Sequence, residues 1–321
     1  FQAEDGIRDS VASRGLGDVY KRQVLTMVNK YLLSLDGGGV RELATVTFLA
    51  KLEKALGEPL YKKFDFFIGT SAGAITAMAL SIAKMKGDNL LDLWSEKTFE
   101  KILDSSLWDS KLGLMQINPK YDGKGKEQVL SEYFGNLKLG DASGDLAIVS
   151  YDIEERRPLL LTSYGNSNIS AIDAGHASSA APIYYPTARV GNRYLIDGGI
   201  VANNPVLHGY AEVKKLYPNS NVKILSVGTG LNKRPLKGKA SQKWGLIGWL
   251  MHDLFGLMLE SSLDHEIATE IIGKDYIRVN SPLGKVNRRL DDNNKRNLNN
   301  IRKMGEAWWQ EFGDSALDLL N

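Results

Sequence analysis

The feature that most constrains the fold is an alternation of apolar strand and helix patterns over residues 31–84, with glycine at each turn from strand to helix. Residues 31–36 (YLLSLD) form a short apolar run that ends in Gly37, Gly38 and Gly39. Such a run, bounded by glycine, reads as a buried strand entering a tight loop. Residues 42–56 then place apolar side chains at helical spacing until Gly57 and Pro59 stop the pattern. A second strand is expected over 64–69 (FDFFIG), followed by an alanine-rich helix over 71–84 whose small side chains suit close packing on a sheet. This succession implies right-handed crossovers and an α/β fold with a mainly parallel central sheet.

The alternation continues less sharply. An amphipathic helix is expected over 90–103, an exposed loop over 108–125, and strands over 146–151 and 158–162 joined by the charged turn 154–157. A helix over 169–180, a strand over 193–196, a helix over 206–216 and a strand over 222–227 follow. No repeat, low-complexity tract or Pro/Gly/Ser linker divides the chain, so residues 24–321 are expected to form one domain. Residues 1–23 stand apart: four basic and four acidic residues without an apolar period, and no apolar stretch of the kind a signal peptide carries. They read as a non-native or disordered lead-in.

Composition narrows the chemistry. The 321 residues include no cysteine, which excludes a disulfide framework, a thiol nucleophile and Cys-ligated metal, and leaves Ser, Thr, Lys or a carboxylate as nucleophile. Four scattered histidines leave little room for a His-rich metal site, and none is expected. A net charge of +2 argues against a dedicated nucleic-acid binder.

Gly69-Thr70-Ser71-Ala72-Gly73 is a Gly-x-Ser-x-Gly pattern placed where a strand should give way to a helix. A nucleophile there occupies a sharp turn that holds its hydroxyl clear of the sheet, and side chains at Gly69 or Gly73 would collide with neighbouring backbone. The helix N-terminus beyond it offers free N–H groups and the positive end of a dipole. Gly37, Gly38 and Gly39 likewise expose backbone N–H groups after a strand, which suits an oxyanion hole or a phosphate cradle, or simply a tight turn. Arg41 could pair with a phosphate or support the loop. Asp197, followed by Gly198 and Gly199, ends the 193–196 strand at the edge where ligands collect in parallel sheets. An Asp that merely caps a turn would look the same.

Together these motifs resemble the patatin-like phospholipase family, which combines an Asp-Gly-Gly-Gly-x-Arg/Lys-Gly loop, a Gly-x-Ser-x-Gly elbow and a later Asp-Gly-Gly/Ala. The resemblance extends to Ala177-Ser178-Ser179-Ala180-Ala181-Pro182 and to Asn203-Asn204-Pro205, and spans about residues 30–291. It implies a three-layer α/β/α fold and a cofactor-free serine acyl hydrolase. Ser71 would be the nucleophile, Asp197 the base, and the Gly37, Gly38 and Gly39 N–H groups the oxyanion hole. One departure is Glu42, where the family usually has glycine; a carboxylate there would oppose an oxyanion. The implied substrate is a phospholipid or lysophospholipid. Two other readings remain at this point: a carboxylesterase with a Ser-His-Asp triad drawing on His208, His252 or His265, and an inactive phosphate- or lipid-binding protein. His176 is expected at the pocket wall or the surface.

The overall charge hides a local excess. Between residues 213 and 252 lie Lys214, Lys215, Lys223, Lys233, Arg234, Lys237, Lys239 and Lys243, with no acidic residue. A Trp-, Leu- and Met-rich stretch from Trp244 follows, so 233–259 is a candidate for peripheral membrane contact, the alternative being a core helix behind a solvated loop. It is too interrupted to span a bilayer. The expected location is cytoplasmic or peripheral to a membrane.

Overall fold

The computed structural model describes residues 28–103, 118–245, 248–249, 256–257 and 263–321. Its centre is an eight-stranded sheet of order β5-β6-β3-β2-β1-β7-β8, with β4 paired to β3. The strands are β1 (Asn29–Leu35), β2 (Phe66–Thr70), β3 (Asp145–Asp152), β4 (Arg157–Thr162), β5 (Ala188–Val190), β6 (Arg193–Asp197), β7 (Asn221–Val227) and β8 (Tyr276–Val279). The run β3-β2-β1-β7-β8 is parallel throughout. β4, β5 and β6 are antiparallel additions.

Period-two alternation along the central strands splits the core in two. Leu33 and Leu35 of β1, Phe67 of β2 and Ile148 of β3 face one side, where they meet α1 (Glu42–Leu56), α2 (Ala72–Ser81) and, ahead of several shorter elements, the C-terminal Lys295–Leu320 helix. Leu32, Phe66, Ile68 and Val149 face the other side. The longer intervening helices among the described residues are α3 (Gly87–Leu93), α4 (Glu96–Ile102), α5 (Lys124–Phe134), α6 (Ala171–Ser178), α7 (Val206–Leu216) and α8 (Asp264–Ile272), and the C-terminal helix is α9. α7 and α8 cover the second face through Val206, Val213 and Ala268. The architecture is the three-layer α/β/α arrangement expected from the sequence.

Several boundaries move. The single helix expected over 90–103 is two, α3 and α4, because Ser95 adopts an extended N-cap conformation and its hydroxyl accepts the Thr98 N–H. Of the loop expected over 108–125, residues 108–117 lie outside the described residues, and Lys124 and Gly125 already belong to α5. Beyond Val227 the alternation read from the sequence stops, yet β8 extends the sheet and α9 packs along α1.

One register relationship sets up the site. β2 ends with Thr70 opposite Val149 of β3, and the next β3 residue, Ser150, pairs with Asp197 at the end of β6. β3 thus passes its edge from one strand to the other within a single residue step. The residue after Thr70 is thereby brought beside Asp197, although 126 positions separate them in sequence.

Candidate active site

Ser71 is the turn between β2 and α2, with φ 55° and ψ −121°. The turn closes only because its flanks are glycine. A Cβ on Gly69 would lie 2.3 Å from the Gly73 carbonyl oxygen, and one on Gly73 would lie 2.5 Å from the carbonyl oxygens of Asp36 and Leu35. The second contact also packs the elbow against the start of the glycine loop.

The Ser71 hydroxyl donates to Asp197 Oδ2 at 2.6 Å, and Gly199 N–H donates to Asp197 Oδ1 at 2.7 Å. Both carboxylate oxygens are therefore oriented. Burial raises the Asp197 carboxyl to about 6, and the Ser71 hydroxyl, the Gly199 N–H and the Lys126 charge hold it from going higher. A carboxylate with that affinity for protons is a better base than an exposed Asp and is still ionised near neutrality.

The Ala177–Pro182 block proves to be the frame of this pair. Ser178 Oγ accepts the Ser71 N–H at 2.9 Å and donates to the Val149 carbonyl at 2.6 Å. The Ala180 carbonyl accepts the Asp197 N–H at 3.1 Å. The Ser179 carbonyl accepts the ammonium of Lys126 at 2.9 Å. One short segment thereby holds both the serine and the aspartate.

The three glycines of the loop are not equivalent. Gly37 N–H is taken by the Asn203 carbonyl at 3.1 Å, and the Gly37 carbonyl accepts from Thr229 Oγ1 at 2.9 Å and from Asn203 Nδ2 at 3.2 Å. Gly38 and Gly39 line the cavity beside Ser71, and among the described residues nothing accepts their N–H groups. Both must be glycine: a Cβ on Gly38 would lie 2.2 Å from Thr229 Oγ1, and Gly39, at φ 56°, would put one 2.2 Å from the Leu290 carbonyl. Arg41 is buried below the loop and, unlike Gly38 and Gly39, does not line the cavity. Asp36 and Arg278 form a two-pronged buried ion pair that fixes the loop's entry, with Arg278 also donating to Ser226 at 2.7 Å.

Glu42 is not among the residues that line the cavity. Its side chain is wholly buried at the start of α1, off the cavity wall. Burial, reinforced by Asp36, holds its carboxyl well above the ordinary carboxylate range and so favours the uncharged acid, with Thr76 opposing the shift.

The cavity over Ser71 is mainly apolar, lined by Val40, Ile75, Trp94, Phe99 and Tyr185 together with Leu290 and Asn203. The histidines are elsewhere. His265 Nδ1 meets the Tyr276 hydroxyl at 3.1 Å, His208 lies on α7 under the other sheet face, and His252 lies outside the described residues. His176, on α6, is pushed down to about 4 by burial and by Lys126, and is half-buried rather than hydrogen-bonded to the dyad. Among the described residues no cluster of His, Asp and Glu converges as a metal site, and no helix is long and apolar enough to cross a membrane. Of the 233–259 stretch, Lys233, Lys237, Lys239 and Lys243 are exposed, whereas the apolar part is largely outside the described residues.

Sequence reasoning missed Lys126, Ser178 as a clamp, Thr229, Arg278 and Leu290. Ser178 carried a signal within the Ala-Ser-Ser block; Lys126 lies on α5, Arg278 on β8, and Thr229 and Leu290 in loops, and the chain order does not reveal that these parts meet at the site.

Residues 33–209 match the family model described as patatin-like phospholipase. The chain is 32% identical to a cGAMP-activated phospholipase of Pseudomonas aeruginosa, over 78% of this chain and 77% of that protein. It is 29% identical to patatin-like protein 1 of Arabidopsis thaliana, over 86% and 80% of the two chains. Among solved structures, VipD from Legionella pneumophila overlaps with a TM-score of 0.48 at 15% identity, covering 88% of this chain and 67% of that one. With a family match over more than half its length laid across this serine, this aspartate and this glycine loop, the chain belongs to the patatin-like phospholipase family.

Proposed function

We propose that the protein hydrolyses fatty-acyl esters of phospholipids or lysophospholipids through a Ser71 acyl-enzyme, as a serine carboxylic-ester hydrolase without a cofactor. The observation that carries this reading is the 2.6 Å contact from the Ser71 hydroxyl to Asp197 at the base of an apolar cavity. Asp197 accepts the hydroxyl proton as Oγ attacks the ester carbonyl. The negative charge that develops on the carbonyl oxygen is met by the N–H groups of Gly38 and Gly39, with Gly37 serving the loop rather than the hole. Protonated Asp197 then gives its proton to the departing alcohol. Water, deprotonated by Asp197, attacks the acyl-enzyme; the tetrahedral adduct collapses, the proton returns to Ser71, and the fatty acid leaves. The apolar wall suits an acyl chain, and Arg41, buried and off the cavity, fits loop support rather than phosphate binding. Lys233, Lys237, Lys239 and Lys243 supply the charge for peripheral contact with anionic membrane.

The test compares wild type with Ser71→Ala on a soluble p-nitrophenyl ester and on lysophospholipid micelles. Release of nitrophenol and fatty acid should fall by at least about 10³-fold in the variant. A wild type no faster than Ser71→Ala on both substrates would sink the reading.

A further inference from the structure

Lys126 is a buried charge that the acyl-transfer scheme leaves unused. It projects from α5 into the cavity that Ser71 and Asp197 share, and the residue is only 3% exposed. Its ammonium donates to the Ser179 carbonyl at 2.9 Å and lies 3.9 Å from the centre of the Tyr185 ring. Among the described residues no carboxylate comes within ion-pair distance of it. An ammonium has three donors, and a lysine kept out of water with one carbonyl and one ring face is poorly compensated unless an anion lies nearby. The carboxylate whose charge it feels is Asp197.

We propose that Lys126 is a positioning residue that acts as the standing counter-charge of the Ser71–Asp197 site, balancing Asp197 before attack and the oxyanion after it. The inference rests on the dyad reading above. The charge balance is simple. Before attack the site holds one carboxylate and one ammonium. As the Ser71 proton moves to Asp197 Oδ2 and Oγ bonds to the ester carbon, the negative charge passes from the carboxylate to the former carbonyl oxygen. The ammonium is unchanged, so the site stays neutral throughout. When the adduct collapses, Asp197 protonates the leaving oxygen and regains its charge. In a water-poor cavity that continuity lowers the cost of both states and preferentially the state with the more localised charge.

Other charged or titratable groups around Lys126 do not replace it. His176, from α6, is held neutral by burial and by Lys126 itself. Tyr184 and Tyr185, from the segment after α6, are phenols lining the cavity, and Asp291, before α9, is engaged by Lys120, Arg289 and the Tyr121 hydroxyl. Burial brings the Lys126 ammonium down to about 7, opposed by Asp197, and the Asp197 carboxyl stands at about 6. Activity therefore requires the ionised carboxylate and the protonated amine together, and the two titrate as a pair.

The experiment measures kcat/KM against pH on a soluble p-nitrophenyl ester for wild type, Lys126→Met and Lys126→Arg, alongside the 13C carboxyl titration of Asp197, assigned by its loss in Asp197→Asn. Wild type should give a bell. Lys126→Met should lose about tenfold, chiefly in kcat, shift the acid midpoint upward by about one unit and lack the alkaline fall. Lys126→Arg should keep the wild-type acid midpoint and also lack the alkaline fall. An acid midpoint and alkaline limb both unmoved in Lys126→Met would overturn the proposal. Should the variants fail to fold, wild type alone decides: the Asp197 carboxyl must show a second inflection where Lys126 loses its proton, and a single inflection overturns it. Should Ser71→Ala or Asp197→Asn retain activity, the dyad reading fails instead, while the carboxyl titration still reports on the pair.

Discussion

Ser71 sits at φ 55°, a left-handed value that costs a non-glycine residue on the order of 1–3 kcal/mol. The surroundings that hold it there are the Ser178 hydroxyl on its N–H and the close approach of Gly69 to Gly73. Asp197 stores a second cost. Its folded carboxyl stands above the 3.8 of an exposed Asp, so the folded protein binds a proton more tightly than the unfolded chain. The associated stability is present below the unfolded value and is lost as pH rises through about 6, amounting to about 3 kcal/mol at pH 8. Asp197→Asn should therefore melt above wild type at pH 8, and the difference should vanish in the ordinary carboxylate range. The amide can still accept the Gly199 N–H through Oδ1 and donate to Ser71 Oγ through Nδ2. Thermal melts at several pH values check this; a difference in melting temperature independent of pH would contradict it. The positions of Ser71 and Asp197 were legible because one follows and the other ends a strand, with glycine close by in each case. Lys126 was not, since nothing in the polar run around it marks which turn of α5 meets the cavity.

At the scale of elements, the entry of the glycine loop is held by residues that come from three separate places along the chain. Asp36 at the end of β1 is gripped by Arg278 of β8 across β7, and the Gly37 carbonyl is held by Thr229 after β7 and by Asn203 before α7. Removing one member of a buried ion pair leaves the other uncompensated, a loss of about 3–5 kcal/mol. Arg278→Met should lower the urea midpoint accordingly and reduce kcat, and combining it with Asp36→Asn should restore part of the stability. Equal midpoints for wild type and Arg278→Met would show that the pair is not anchoring the loop. The helices facing the central strands could be read from period alone. The break between α3 and α4 could not, because Ser95 interrupts an otherwise continuous helical pattern by offering its hydroxyl as a cap. α9 was hidden by its charge: its apolar stripe, Leu298, Ile301, Met304 and Trp308, runs through a segment rich in Asn, Lys and Arg.

Across the whole molecule, the family match ends at residue 209, yet the sheet does not. β7 pairs with all seven residues of β1, and α9 covers α1 so closely that a Cβ on Gly305 would lie 2.4 Å from the Ala44 carbonyl. A chain ending after Asp292 would leave that face of α1 open to water. It should lose the single cooperative melt of the full chain, as measured by circular dichroism, together with its esterase activity; retention of both would show that α9 is dispensable and that the catalytic layers fold without it. The sequence by itself determined the α/β class, the turn that bears Ser71 and the strand end that bears Asp197, because these depend on local periodicity and on glycine where a side chain cannot fit. Only the tertiary structure decided that Gly37 is committed to Asn203, that Glu42 is buried in a setting that favours its uncharged form, and that Lys126 lines the same cavity as Ser71 and Asp197. Each of those depends on burial and on partners far away in the chain, and neither a charge state nor a hydrogen bond can be read from a residue before its neighbours are known.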